Sequence, residues 1–214
     1  MIKKNKTELI ITSIATLLPI VIGLILWNDL PLQIGTHWGA NGEIDGYSSK
    51  AFAVFGLPLI LLGAEWLCVL GTMKLDPKAK DISPKMMSLV LWIIPIISIV
   101  MSSITYMVAL GKEIRVPLVV IILIGVVFII IGNYLPKCKQ SYTMGIKLPW
   151  TLKSEENWKK THRLAGVLWV LGGIIILATA VLESVIIFFT VVALMVIVPT
   201  IYSYLYYKKE KKSE

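Results

Sequence analysis

The 214-residue chain is short of charge, histidine and cysteine, and each shortage closes off a set of functions. Charged residues make up 16% of it against 57% hydrophobic, and the mean hydropathy is +0.80. That leaves too little polar surface to clothe a soluble domain of this length. The two cysteines, Cys68 inside an apolar run and Cys138 just after another, give neither a disulfide framework nor a metal-ligand spacing. No internal repeat is present, and the tail KKEKKSE reads as a frayed end.

Long apolar runs are abundant instead. A helix needs roughly 20 mostly apolar residues to cross about 30 Å of hydrocarbon. Six stretches qualify, at about 8–28, 51–72, 86–108, 117–135, 163–180 and 185–206. The predicted fold class is all-α: a polytopic membrane protein of six transmembrane helices. Three groupings along one bundle follow, 1–72 with the loop at 29–50, 73–135 with spans three and four, and 136–214 with the last two spans. The run Leu9–Trp27 is too long for a secretory signal core and no small-x-small cleavage site follows it, so it reads as a retained span.

Of the 21 lysines and arginines, 18 fall in the N-terminus, 73–85, 136–163 and the tail. The intervening segments hold 3. Positive charge stays on the cytoplasmic side, so both termini are expected inside and a small folded loop after helix 1 outside. The basic excess follows topology, which argues for membrane lipid or an acidic protein partner and against direct nucleic-acid binding.

In the outer loop, LQIGTHW alternates like a short extended stretch, and GANGEIDGYSSK must turn tightly. His37, Glu43 and Asp45 are potential ligands whose spacing matches no metal motif, and a turn held by carboxylate–backbone bonds is expected instead. No cofactor is called for. Glu65, in LLGAEWLCVLG, is the one ionisable side chain well inside a span. An intramembrane carboxylate costs several kcal/mol unless it is paired, hydrated or protonated. The expected partners are Ser98, Ser102, Ser103, Thr105, Asn133 or a backbone carbonyl. The functional reading is a proton site or an anchor for a cationic ligand.

Pro19, Pro58, Pro95 and Pro199 are expected to kink their spans. Gly166, Gly172 and Gly173 predict close packing of helix 5 on helix 6. The four tyrosines between 202 and 207 read as an interfacial belt.

The segment GNYLPKCKQSYTMGIKLPWTLKSEENWKKTHRLAG, residues 132–166, is polar, basic and aromatic between two apolar flanks. Ser154 followed by Glu155 and Glu156 reads as an N-cap with acids in the first turn. Glu155–Lys159 and Glu156–Lys160 are i,i+4 pairs in the better orientation. Trp158, His162, Ala165 and Trp169 share one helix face, with Lys159 and Arg163 on another. Ahead of the cap, MGIKLPW is expected to be extended, because the residue before Pro149 is pushed out of the α region. No candidate nucleophile lies near His162, so no enzyme is expected.

These residues resemble the hallmark segment of the SdpI family of bacterial membrane proteins. Its pattern reads G-N-x-[LM]-P-K, then N-x-x-x-G-[IL]-[RK]-T-P-W-T-L, then S-x-x-x-W-x-x-T-H-R. Gly132, Asn133, Pro136, Lys137, Gly145, Ile146, Pro149, Trp150, Thr151, Leu152, Ser154, Trp158, Thr161, His162 and Arg163 match it. Ser141 stands where Asn is usual and Leu148 where Thr is usual. Pro31, His37, Gly42, Asp45, Gly46 and Lys50 carry a similar likeness to the outer-loop module of those proteins.

The resemblance implies immunity to a secreted membrane-active peptide toxin, signalled across the membrane to a cytoplasmic winged-helix repressor. The two departures bear on repressor capture rather than on fold. Toxin contacts are assigned to His37, Trp38, Asn41, Glu43, Asp45, Tyr47 and Glu65. Partner contacts are assigned to Lys147, Pro149, Trp150, Lys153, Trp158, Lys159, His162 and Arg163. The alternative is a proton-coupled transporter or exporter using Glu65, and a third reading is an interfacial enzyme using His162, Glu155 or Glu156 with Arg163.

Overall fold

A computed structural model describes residues 2–213, with side chains over 6–212. Lys3 and Lys4, part of the charge pattern, lie outside the described side chains, and Glu214 lies outside the described residues. The apolar runs become the helices α1 Ile2–Ile25, α2 Leu57–Leu75, α3 Pro84–Ala109 and α4 Val116–Tyr134. A five-residue helix, α5 Pro149–Lys153, precedes α6 Glu155–Thr179 and α7 Val185–Ser213. Six helices among the described residues are long and apolar enough to cross a membrane, as predicted. Apolar side chains such as Leu67, Ile186 and Phe189 stay exposed on them, as a lipid-facing surface requires.

Helix α6 starts at Glu155, where Ser154 and its two acids predicted a helix start, and runs on into the span. Two features differ from the sequence reading. Helix α7 runs through the tail to Ser213, where fraying was expected. Pro58 sits in the first turn of α2 rather than mid-span. The helix arrives there through a π turn, Phe52–Gly56, in which Leu57 N–H donates to Phe52 C=O five residues back. Having no N–H of its own, Pro58 is tolerated at this position.

One compact unit comprises Met1–Leu70 with Met87–Pro117, and the other Gly71–Met86 with Leu118–Glu214. In the first, strands β1 Gln33–Trp38 and β2 Ile44–Ser49 pair as an antiparallel hairpin between α1 and the π turn. Leu30 and Ile34 at its base are buried with Val54 of the π turn and Tyr106 of α3. Tyr106 Oη donates to Pro19 C=O at 3.1 Å, and Lys50 Nζ donates to Trp27 C=O at 2.8 Å. The hairpin is thus seated on the ends of its own unit's helices.

In the second unit α4, α6 and α7 pack through glycine. A Cβ on Gly132 would lie 3.0 Å from Gly166 C=O, and one on Gly173 would lie 2.7 Å from Gly125 C=O. Such backbone approach is how helices associate where no hydrophobic effect drives them together. The expected contact with the last helix holds for Gly172, whose Cβ would strike Met195 of α7. Gly166 and Gly173 face α4 instead.

Candidate functional site

The hairpin carries six of the residues singled out in sequence. Its register shifts between Gly35 and His37 and again between His37 and Trp38, so one extra residue bulges on each strand, Thr36 on β1 and Asp45 on β2. The second shift sets Asp45 beside His37, and His37 Nδ1 meets Asp45 Oδ1 with both side chains more than half exposed. Glu43 does not join them. Its carboxylate takes Asn41 Nδ2 at 2.8 Å, while Asn41 Oδ1 accepts Glu43 N–H at 3.2 Å. The turn is therefore held by the Asn41 amide and by Gly39 N–H to Glu43 C=O at 2.9 Å, not by carboxylate–backbone bonds. Tyr47 is 62% exposed and Trp38 half-buried. Together these side chains make a polar and aromatic knob on an apolar stem.

Glu65 is not part of that knob. It lies eight residues into α2 and is buried, with Thr12 Oγ1 2.5 Å from Oε1 and Thr16 Oγ1 2.8 Å from Oε2. Both partners are on α1, and none of the five side chains expected from sequence meets it. Ser98 Oγ of α3 donates to Thr16 C=O at 2.8 Å. The carboxyl closes a polar seam through the three helices of its own unit, which offsets part of the cost of placing it there.

The segment after α4 is a locked platform. Asp76, just past the end of α2, is buried, and its Oδ2 collects Ser141 Oγ, Tyr142 N–H at 2.9 Å, Thr143 N–H at 3.1 Å and Thr143 Oγ1 at 2.9 Å. Its Oδ1 takes Lys78 N–H at 2.8 Å. Burial works against the charge of Asp76, but the hydrogen bonds from Ser141, Lys78 and Thr143 outweigh it and hold its pKa below the ordinary carboxylate value. Burial and the negative charge of Asp76 push the Cys138 thiol up to about 11, which leaves it unreactive.

Ser141 Oγ also accepts Thr143 N–H at 3.2 Å and Met144 N–H at 3.0 Å. It therefore caps this turn as the family's usual Asn side chain would.

Next, Gly145 takes φ +99 and passes directly over the Trp158–His162 pair, whose rings stack 4.0 Å apart. A Cβ there would lie 2.5 Å from His162 Nε2 and 2.9 Å from the Trp158 ring. His162 Nε2 accepts Ile146 N–H at 2.9 Å, so Nδ1 carries the proton and donates to Trp158 C=O at 2.8 Å. Trp158 Nε1 donates to Cys138 C=O at 2.8 Å. Both residues are fully buried, so their place among the partner contacts moves to holding the loop, and His162 has no nitrogen left to act as a base.

Of the MGIKLPW stretch, Met144 and Gly145 lie in a bend and Leu148 is extended, after which Pro149 opens α5 at its first position. Thr151 staples that turn by accepting Leu148 N–H at 2.9 Å and donating to Ile146 C=O at 2.8 Å. Leu148 offers no side-chain cap where the family has Thr. Restoring it with Leu148→Thr is expected to stabilise the protein by about 1 kcal/mol, read as a higher thermal midpoint in detergent.

Trp150 Nε1 donates to Ser203 Oγ at 2.8 Å, and its ring packs on Tyr204 and Tyr207. Two of the tyrosines expected in a lipid belt thus hold the platform to α7. The predicted cap forms, with Asn157 N–H to Ser154 Oγ at 3.1 Å, and both acid–lysine pairs are present at 2.8 and 3.9 Å. Lys147, Pro149, Lys153, Lys159 and Arg163 remain exposed on the outside of this construction.

The two units define a class: a multi-pass membrane protein with a hairpin cap in one unit and a hydrogen-bonded basic platform in the other. The SdpI/YfhL protein family model matches residues 137–203, which contain most of the platform, and a domain of unknown function (DUF1648) matches residues 14–62, which contain the hairpin. The chain is 29% identical over 213 residues to the Immunity protein SdpI of Bacillus subtilis (strain 168), covering 97% of each. No solved structure matches it. The chain is thus similar to the SdpI family, and its six long apolar helices make it a multi-pass protein of the cell membrane.

Proposed function

We propose that this protein confers immunity to a secreted, membrane-active peptide toxin, meeting it on the hairpin outside the cell and reporting occupancy through the platform in the cytoplasm. The observation that carries the reading is the end-to-end match to an immunity protein, spanning both the hairpin and the platform. The knob of His37, Asn41, Glu43, Asp45 and Tyr47 supports a docking role, since these side chains are exposed and only the stem enters the core. The charge distribution supports the orientation. The exposed cations Lys147, Lys153, Lys159 and Arg163 suit an acidic face on a winged-helix repressor. Signalling then requires the toxin to bind two helix arrangements with different affinity. With both His162 nitrogens committed to backbone groups, the enzyme reading loses His162 as its base.

The test uses a toxin-sensitive bacterium expressing the chain. Wild type should raise the toxin concentration that halves growth. Tyr47→Ala with Asp45→Ala should remove that protection at equal membrane abundance. Lys147→Gln with Lys153→Gln should keep protection and lose only the transcriptional response. Protection that survives the hairpin pair at every toxin dose contradicts the docking role.

A further inference from the structure

Beside the platform lies a groove of about 450 Å³, of whose lining the reading above uses only Lys159. Lys78, Lys137, Lys139 and Lys159 line it, with Asp81 and Glu155 also in its wall. All six belong to the second unit. Its depth is fixed by the spans. Lys78 lies three residues past the end of the Phe52–Leu75 span, Lys137 closes Val116–Lys137, and Glu155 opens Glu155–Leu182. Three span ends therefore converge on one basic cavity at the level where lipid headgroups lie.

We propose that this groove binds the phosphate of an anionic phospholipid headgroup. The cations are arranged in advance. Gln140 Nε2 donates to Thr151 C=O at 3.0 Å and Leu152 C=O at 2.9 Å, which turns its Oε1 toward Lys78 Nζ. The Lys78 backbone is itself fixed by Asp76. Lys139 makes no ion pair among the described residues, and Lys137 Nζ rests 5.4 Å from the Tyr134 ring centroid. Lys159 is held only at 3.9 Å from Glu155, both side chains largely exposed. The cationic excess attracts an anion, and an unfilled groove would leave it uncompensated at the edge of a low-dielectric slab. The two carboxylates in the wall oppose a polyanion and suit a single phosphate carrying hydroxyl groups. An acidic peptide is disfavoured for the same reason, and because the groove opens at the depth of the span ends.

The experiment uses the full chain in neutral detergent and reads its thermal midpoint against added phosphatidylglycerol, phosphatidylcholine, inorganic phosphate or a polyglutamate peptide. Phosphatidylglycerol alone should raise the midpoint in a saturable way. Lys137→Gln with Lys139→Gln should shift the half-effective concentration upward by about tenfold or more. Lys137→Arg with Lys139→Arg should keep the response, as should the control pair Lys208→Gln with Lys211→Gln on α7. An equal response to phosphatidylcholine, to phosphate or to polyglutamate overturns the proposal. So does an equal loss in the α7 control pair, which would mean diffuse attraction, or an unshifted curve in the Lys137→Gln, Lys139→Gln protein.

Discussion

Gly145→Ala should destabilise the protein by about 3 kcal/mol, from left-handed backbone strain and overpacking together. The added methyl meets no flexible chain end. It would sit 2.5 Å from a histidine nitrogen already bonded to the next residue's N–H, and 2.9 Å from the edge of a buried indole. Relief requires lifting residues 145–146 away, which breaks the Ile146–His162 bond and uncovers Trp158. The substitution should therefore lower the thermal midpoint and open the loop to trypsin at Lys139 and Lys147. Gly63→Ala and Gly71→Ala are the matched controls, since a Cβ at either meets nothing within 4 Å. In a helix interior they should be neutral or slightly stabilising. Equal midpoints for all three variants would refute the stacked-pair account of this loop.

Asp76→Ala should cost at least as much, about 3 kcal/mol or more, by a different route. One carboxylate satisfies three backbone N–H groups and two hydroxyls in a place with little water access. Removing it strands donors that each cost about 1–3 kcal/mol when buried and unmet. Its folded pKa is depressed relative to the unfolded chain. The stabilisation is therefore complete above the ordinary carboxylate value and is lost as pH falls through the lowered one. The midpoint difference between wild type and Asp76→Ala should be constant around neutrality and shrink in strong acid. A difference that instead grows on acidification would contradict the assignment.

Most of the fold was legible because lipid imposes a crude demand. Twenty apolar residues in a row announce a span, and Ser154 with two acids announces a helix start, both of which the structure keeps. What escaped was of two kinds. Strand β2, IDGYSS, sets Ile44 and Tyr47 among residues poor in strand propensity, so its aspartate and glycine read as turn. Its order comes from pairing with β1. Glu65 showed the other limit. Its burial was plain, but its partners depended on which helix lies alongside, and Thr12 and Thr16 reveal themselves only as two hydroxyls one turn apart on α1. Asp76 gave no signal beyond being an acid just after a span. The short helix α5 was signalled by Pro149 at a first-turn position, a cue masked by the extended residue before it.

The site assignments divide along the same line. Trp158 and His162 stood out as polar and aromatic residues in a basic loop, the ordinary mark of a contact surface. Their hydrogen bonds turn inward. The matching residues of the hallmark segment thus describe how the platform is built, and the lysines around them are what it presents.

The proposed orientation, hairpin outside and platform in the cytoplasm, is tested most directly by labelling two positions in intact cells. In a Cys68→Ala, Cys138→Ala background, Asn41→Cys and Lys147→Cys place single thiols on the exposed hairpin turn and the exposed platform loop. A membrane-impermeant maleimide should modify position 41 at once and position 147 only after the membrane is opened. Modification of 147 in sealed cells, or protection of 41 there, would contradict the proposed path from toxin to repressor.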